Sequence, residues 1–408
     1  MSEPEGLQGV PEASEKGTAY GQYAGFEDLD AERLRRRRSE KWRAYPPDVL
    51  PAFIAEMDYD LAEPVREALR AAIDLGDCGY ANPAGLSEAF ALFCAERGGW
   101  AVETGRVFLV PDVMAGVDAL LTLLTSPGDG VVINPPVYPP FFAHIRNAGR
   151  RVVEVPVVRD EGRWTLDFPA LEAAFSAGAR AFLLCSPHNP TGRVFSRDDL
   201  LTIAELSTRY GVAVLSDEIH APLTLPGAEH TPFVSLGDEA GRNAVTLASA
   251  SKAFNVAGLK CAVLVAGSEA MRRRLSLLPA SCQFGAGLLG VVASIAAWRS
   301  GGPWLDRLIE QLDRVRGEFG KLLAERLPEA VYTPPEAGYL AWVDCSGLAP
   351  GREPGLSPAS VFLSRGKVAL GDGRDFGAVG EGFVRVTIGT STRLLTEIAD
   401  RMAAAVRA

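Results

Sequence analysis

The sequence predicts an α/β protein: a large domain with a mostly parallel sheet and a smaller α+β domain. Through the middle of the chain, short continuous apolar runs alternate with amphipathic segments. Such runs are typical of parallel strands that are buried on both faces. Beyond residue 300, a long amphipathic segment is followed by strands mixed with helices. The first pattern indicates a parallel sheet and the second a separate α+β unit.

The clearest helix signal begins at Ser196, which is a good N-cap, with Asp199 three residues later and Gly211 as the stop. A helix over 117–124 ends before a Pro-Gly pair, and a long one runs over 304–327. The predicted strands of the larger sheet are 107–110, 130–133, 151–155, 181–185, 212–215, 244–247 and 261–266. Two further strands, 339–343 and 383–388, belong to the smaller unit.

The domain boundaries follow from these segments. Residues 1–25 are rich in Gly, Glu, Ser and Pro and have no apolar period, which is typical of a disordered tail. A charged helix is expected over 26–43. We assign 26–60 and 300–408 to the small domain and 61–299 to the large domain.

Composition excludes several classes of function. A net charge of -10 over 408 residues argues against a nucleic-acid partner, which requires clustered Lys and Arg. The longest apolar stretch, 288–298, is shorter than the roughly 20 residues that span a bilayer. The six cysteines are scattered without CxxC pairs, which indicates reduced thiols in the cytoplasm and no metal site.

Three consecutive strands of the predicted sheet end in polar residues of different chemistry. The strand over 181–185 leads into Asn189, the strand over 212–215 into Asp217, and the strand over 244–247 into Ser249 and Lys252. Because ligands bind at the carboxyl ends of parallel strands, an amide, a carboxylate and an amine are expected to share one crevice.

This set suits pyridoxal phosphate (PLP). Lys252 can form the imine, Asp217 can keep the ring nitrogen protonated, and Asn189 can donate to the phenolate oxygen. Ser249 and the N-terminus of a helix near Val113 can bind the phosphate. Taken singly, these residues are more often a surface lysine, a cap and a turn, but their order at successive strand ends favours the cofactor site.

The motifs carry a family resemblance. The segments SPHNPTG, SDEIH and SASKAFNVAGLK resemble the successive signatures of class I/II aminotransferase-fold enzymes, the fold-type I PLP-dependent transferases. His220 stands where most aminotransferases of this fold have Tyr, and IAEMDY at 54–59 resembles the N-terminal motif of the MalY/PatB branch. That branch contains cystathionine β-lyases and related cysteine-S-conjugate β-lyases. The resemblance covers the chain from about residue 26 onward.

The resemblance implies further roles. Tyr138 would stack on the PLP ring and assist Lys252 in catalysis, and Arg385 would bind the substrate carboxylate. Tyr80 would reach the phosphate of a neighbouring subunit, which implies a homodimer with sites completed across the interface. The implied cofactor contacts also include Val113, Met114, His220 and Lys260, and the implied substrate contacts include Ala55 and Asn189.

Four positions depart from the family pattern. Glu56 replaces an Asp, and Pro222 stands where an acidic residue is common. Asp112 stands where many relatives have Gly before the phosphate-binding turn, so its carboxylate must point away from the phosphate or be offset by a cation. Lys260 stands where many have an Arg, and a lysine binds phosphate as a point charge and not bidentately.

Three functions are compatible with these residues. The first is a carbon–sulfur β-lyase that cleaves cystathionine or a related cysteine S-conjugate to thiol, pyruvate and ammonia. The second is an aminotransferase or another PLP reaction at the α-carbon, such as decarboxylation. The third is a protein that acts by binding a regulator. Cystathionine cleavage without an added keto acid separates the first from the second.

Overall fold

The structure is a computed structural model that describes residues 25–348 and 355–407. The tail expected over 1–25 therefore lies almost entirely outside the described residues. Within the described ranges, no helix combines the length and apolar character needed to cross a membrane.

A seven-stranded sheet forms the centre of the fold. Its strands are β1 (Val107–Val110), β2 (Gly130–Ile133), β3 (Arg151–Glu154), β4 (Ala179–Cys185), β5 (Ala213–Asp217), β6 (Ala244–Ala248) and β7 (Ala262–Ala266). Their order across the sheet is β1-β7-β6-β5-β4-β2-β3. Four neighbouring pairs are parallel: β3 with β2, β2 with β4, β4 with β5, and β5 with β6. β7 is antiparallel to both of its neighbours, β6 and β1. The predicted α/β class with a mostly parallel sheet is confirmed.

The prediction for β7 was wrong in direction. The apolar run over 261–266 was interpreted as another parallel strand, but it returns antiparallel to β6. The connection after β6 contains one short 3₁₀ turn, Ala257–Leu259, and no crossover helix. A parallel pair requires such a crossover, so this chain can only reverse direction.

Alternate residues of a strand point to opposite faces of the sheet. Both faces therefore carry side chains, and helices cover both. Leu183 and Leu215 belong to the core beside helix Val113–Leu124. Phe182 and Val214 belong to the core beside helix Arg197–Tyr210. The strand residues of β5 are buried throughout, as expected of a central parallel strand.

A second, four-stranded sheet has the order β8-β9-β11-β10, with β8 (Val331–Tyr332), β9 (Leu340–Asp344), β10 (Gly371–Asp372) and β11 (Phe383–Thr387). All of its pairs are antiparallel. Helices Gly302–Arg326 and Thr392–Arg407 pack together beside it. Two-residue strands Leu50–Pro51 and Val368–Ala369 pair with each other, as do Val158–Asp160 and Arg163–Thr165.

The other helices of the fold are Glu63–Asp74, Leu86–Gly98, Pro140–Asn147, Phe168–Ser176, Asp238–Gly241, Glu269–Leu275, Ala280–Phe284, Leu288–Ser300 and Pro358–Gly366.

The single helix expected over 26–43 is two short helices, Ala31–Arg35 and Glu40–Arg43. The chain between them is held by tertiary contacts. Arg37 donates to the carbonyl of Asp58 at 2.8 Å, and the Ser39 hydroxyl donates to Glu56 at 2.6 Å. In a continuous helix the side chains of Arg37 and Ser39 would point in other directions, and these hydrogen bonds would be lost. The N-terminal segment is thereby fixed against residues 53–59.

Candidate active site

The carboxyl ends of β4, β5 and β6 meet at a cavity of about 420 Å³, which we call the front cavity. It contains the amide, carboxylate and amine that the sequence placed at successive strand ends. The predicted residues that line it are Ala55, Val113, Met114, Tyr138, Asn189, Asp217, His220, Lys252 and Lys260.

Lys252 is the buried amine of the front cavity. Its Nζ donates a hydrogen bond to the carbonyl of Ala55 at 3.0 Å. Burial, reinforced by the charge of Arg385, lowers the pKa of Lys252 to about 8. A substantial fraction of this amine is therefore neutral in mildly alkaline solution, and a neutral amine can act as a nucleophile or base.

Asp217 is the last residue of β5 and is 4% exposed. One of its oxygens accepts from the Ile219 amide at 3.1 Å. Burial raises the pKa of Asp217 to about 7, although the positive charge of Lys252 opposes this. A buried carboxylate that is stabilised by so few hydrogen bonds is suited to pair with a cationic N–H group in the cavity.

Asn189 lines the front cavity and is hydrogen-bonded to Arg385, which is not among the residues that line it. Nη1 of Arg385 donates to Oδ1 of Asn189 at 3.2 Å, and Nη2 donates to the carbonyl of Phe53 at 2.9 Å. The guanidinium also lies 4.9 Å from the centre of the Phe376 ring. Oδ1 of Asn189 already accepts from Arg385. Its Nδ2 group remains to donate a hydrogen bond to a ligand.

The chain over 53–59 crosses the cavity beside Lys252 and is held at several points. The Tyr339 hydroxyl donates to the Ala55 carbonyl at 3.0 Å, and Thr387 donates to the Ile54 carbonyl at 2.7 Å. Asn255 bonds both the amide and the carbonyl of Met57. These contacts bring Ala55 to the lysine although the two residues lie 197 positions apart.

The phosphate-binding end was predicted only in part. Helix Val113–Leu124 begins at the cavity, and Asp112 caps it by accepting from the Ala115 amide at 2.8 Å. The other carboxylate oxygen of Asp112 accepts from Lys260 at 2.8 Å. Of the two arrangements expected for Asp112, the structure shows the offsetting cation.

Ser249 itself does not line the front cavity. Its hydroxyl donates to the Cys261 carbonyl and lies 2.6 Å from the Ser251 hydroxyl. Ser251 lines the cavity. Both residues lie in the loop that follows the strand Ala244–Ala248, and the phosphate contact of Ser249 stays a prediction.

His220 and Tyr138 are both held inside the site. Burial lowers the pKa of His220 to about 3, so its imidazole is neutral at physiological pH. Burial also raises the pKa of Tyr138, with the charge of Asp217 acting in the same direction. A neutral phenol is a hydrogen-bond donor, so Tyr138 can donate a proton within the cavity.

Tyr80 lies outside the front cavity. It is 88% exposed and packs edge-to-face against Phe284, which is 62% exposed.

Tyr339 and Asn255 were not predicted, since a tyrosine in a strand and an asparagine in a loop carry no distinctive sequence signal.

The front cavity fits PLP by the chemistry of its groups. It offers an amine for the aldehyde, a buried carboxylate for the ring nitrogen, and an amide donor for the phenolate oxygen. A capped helix N-terminus and the Lys260 ammonium are available to a phosphate.

Comparison with known proteins places the chain among enzymes with this site. The family model described as "Aminotransferase class I and II" matches residues 54–402. A Mycobacterium leprae protein named "Putative cystathionine beta-lyase" is 44% identical, with 93% of this chain and 98% of the relative covered. "Cystathionine beta-lyase PatB" of Bacillus subtilis is 37% identical, with 88% and 93% covered. The PLP-bound C–S lyase from Staphylococcus hominis superposes with a TM-score of 0.84 at 27% identity, with 91% and 96% covered.

Proposed function

The chain belongs to the class I and II aminotransferase family, and from this premise we propose that it is a PLP-dependent carbon–sulfur β-lyase. Its substrate would be cystathionine or a related cysteine S-conjugate, and its products a thiol, pyruvate and ammonia. The observation that carries the proposal is that Lys252, Asp217 and Asn189 line one cavity, with Arg385 hydrogen-bonded to Asn189.

The substrate carboxylate would bind to Arg385. Arg385 is 6% exposed, and its guanidinium is already oriented by Asn189 and the Phe53 carbonyl. Burial lowers the pKa of Arg385 to about 10, so it remains charged at neutral pH. A planar, pre-oriented guanidinium suits a two-point contact with a carboxylate, and this contact would fix the Cα–H bond relative to Lys252.

Lys252 would move the proton. PLP, when bound, supplies the aldehyde that condenses with the substrate amine and the ring that accepts electrons released at the α-carbon. The lowered pKa of Lys252 leaves part of it neutral near pH 8, which is the form that can take the Cα proton. Asp217, beside the ring nitrogen, would hold a proton there and so favour electron withdrawal.

The departing sulfur needs a proton donor. Tyr138 lines the same cavity, and its raised pKa keeps the phenol protonated. Lys252 also becomes a donor once it has taken the Cα proton. Either group can protonate the thiolate, and protonation makes the thiol the product that leaves the cavity.

The choice of cystathionine follows the names of the relatives, two of which are called cystathionine β-lyases. The alternative, an aminotransferase or another reaction at the α-carbon, is favoured by the description of the matching family model. The two differ in one requirement: transamination needs a keto acid, whereas β-elimination does not.

The test is incubation of the holoenzyme with L-cystathionine in the absence of any keto acid. We expect pyruvate and free thiol to form in equal amounts, and Lys252→Ala to form neither. A panel of cysteine S-conjugates then ranks substrates by kcat/KM. Amino transfer that depends on an added keto acid and releases no thiol would establish the alternative and reject the lyase.

We also propose that the enzyme is a homodimer in the cytoplasm. Tyr80 and Phe284 form an exposed aromatic pair, and Leu75 and Leu277 are 81% and 73% exposed. Large exposed apolar side chains of this kind favour a covering partner. All six cysteines are unpaired, which suits a reducing compartment.

A further inference from the structure

A second cavity of about 490 Å³ lies on the reverse side of the sheet, and we call it the back cavity. Successive residues of a strand point to opposite faces. Asp217 therefore faces the front cavity, whereas Glu218 faces the back cavity together with Thr246 and Ala248 of β6. The proposed reaction does not involve this cavity. Of the residues predicted for the reaction, Ser249 lies in its wall and the others do not.

A buried carboxylate forms the floor of the back cavity. Glu218 is 3% exposed, and its Oε1 accepts from the Ser216 hydroxyl, the Phe233 amide and the Thr246 hydroxyl, at 2.8–3.0 Å. Its Oε2 contacts only the His230 imidazole, at 3.3 Å, among the described residues. Because Oε1 accepts three hydrogen bonds and Oε2 has one contact, Oε2 has room for another donor.

His230 provides a second unsatisfied group. Its side chain is 8% exposed, and its Nε2 faces Glu218. Its Nδ1 is buried and has no hydrogen-bond partner in the described parts of the chain. A buried polar atom without a partner calls for a hydrogen-bonding ligand.

The back cavity is lined by two carboxylates, Glu218 and Glu229, and by one arginine. No lysine or arginine of the described residues pairs with Glu218. Arg97, in the wall, is paired with Asp306. The effect reaches Cys94 across the space: burial, with the charge of Glu218 in addition, raises the pKa of its thiol. The rest of the wall is aromatic, with Phe90, Phe93, Trp100 and Trp298.

We propose that the back cavity is a second binding site, for a small monocation that carries an aromatic or apolar body. The cationic N–H would donate to Glu218 Oε2 or His230 Nδ1. The body would pack against the aromatic rings, whose faces also attract cations. The volume lies within the range of small-molecule sites. Primary, secondary and tertiary ammonium compounds share this chemistry, and anions of similar size do not.

The probe is N,N-dimethylbenzylamine, which is protonated at neutral pH and, as a tertiary amine, cannot form an imine with PLP. The holoenzyme is first treated with aminooxyacetate to close the front cavity. Titration calorimetry should then give one saturable site. Benzoate, with the same ring and the opposite charge, should give none.

Three variants locate the site. Glu218→Gln removes the charge at constant size and should weaken probe binding at least tenfold. Ala248→Leu, from the strand, and Ala228→Leu, from the loop, should each narrow the cavity and weaken binding. Ala248→Ser keeps the space open and should bind as the wild type does. Retention of the PLP absorbance band shows that each variant has folded.

The loop variant keeps the test decisive if a strand variant fails to fold. Absence of a saturable site in the wild type, equal binding by benzoate, or undiminished binding by Ala228→Leu would overturn the proposal. These results are independent of cystathionine turnover, so the proposed reaction can stand or fall separately.

Discussion

The Nζ of Lys260 lies 2.8 Å from Oδ2 of Asp112, at the edge of the cavity where the phosphate of PLP is expected. Partial burial opposes ionisation of Asp112, but hydrogen bonds from Lys260 and from the Ala115 amide outweigh it and lower its pKa. The carboxylate is therefore charged throughout the neutral range. A negative charge beside a phosphate site is tolerable because Lys260 offsets it.

Lys260→Ala is expected to weaken PLP binding by about 10- to 100-fold, since it removes an attraction and exposes the repulsion of Asp112. Fluorescence titration of the apoenzyme with PLP measures the effect. The double variant Lys260→Ala/Asp112→Asn should recover most of the loss and show a weaker dependence on salt. If the double variant binds no better than Lys260→Ala, then Asp112 does not act on the phosphate.

Asp217→Asn is expected to have opposite effects on the apoenzyme and the holoenzyme. In the apoenzyme, burial raises the pKa of Asp217 from 3.8 to about 7. The folded state then holds more protons than the unfolded state between these values, so stability falls as pH rises from about 4 to 7. Asparagine removes this penalty, which by linkage is on the order of 4 kcal/mol.

We therefore expect apo Asp217→Asn to melt at a higher temperature than the apo wild type at pH 8 and to show no gain at pH 4. The holoenzyme should behave in the opposite way, with PLP affinity reduced because the ring nitrogen loses its anionic partner. Melting curves with and without PLP at both pH values measure this. The same sign in both forms would contradict the placement of Asp217 beside the ring.

Arg385→Lys should lower kcat/KM by about 100-fold while leaving PLP affinity unchanged. A lysine cannot reproduce the separate contacts to Asn189 and the Phe53 carbonyl, or the two-point grip on a carboxylate. Arg374→Lys is the matched control, because Arg374 is half-exposed and paired with Asp372 on the surface. Equal losses in both variants would point to a general effect on folding.

Most of the fold was predictable because apolar runs and caps are local signals. The Ser196–Asp199 capping box begins helix Arg197–Tyr210 at the predicted position. The direction of the strand Ala262–Ala266 was not predictable, because direction depends on the connection and not on the strand itself. The break near Arg37 was also missed, since it depends on carbonyls 20 or more residues away.

The site was predictable where one strand end supplies one functional group. Asn189, Asp217 and Lys252 follow three neighbouring strands, so topology alone brings them together. The cation beside Asp112 could be anticipated only as a requirement. The contact of Lys252 with Ala55 joins distant segments. The place of Ser251 in the cavity wall depends on the loop that follows the strand Ala244–Ala248, and not on the strand pattern.

The segment over 53–59 depends on a buried ion pair. Lys41 and Asp58 have side chains 1% and 4% exposed, and their charged atoms lie 2.8 Å apart. Lys41 also donates to the Glu56 carbonyl, and Trp42 donates to Asp58. Lys41→Met should cost about 3–5 kcal/mol of unfolding free energy because it leaves a buried carboxylate unpaired.

Urea unfolding measures this cost, and Asp58→Asn in the same chain should recover part of it. Lys367→Met is the control: its partner Asp48 is 3.9 Å away and both side chains are more than half exposed. Such a surface pair should contribute less than about 1 kcal/mol. A cost for Lys41→Met no larger than that of the control would show that the pair does not anchor the segment.

The last prediction concerns Tyr80, which is exposed and does not line the front cavity of its own subunit, yet is expected to act at a partner's phosphate site. Tyr80→Ala and Lys252→Ala should each be nearly inactive alone. If Tyr80 serves the other subunit, a hybrid dimer of the two variants has one site with both defects and one site with neither. Equal mixing after subunit exchange should therefore restore about a quarter of wild-type activity. If Tyr80 instead serves its own subunit, every site in the hybrid carries one defect and the mixture stays inactive.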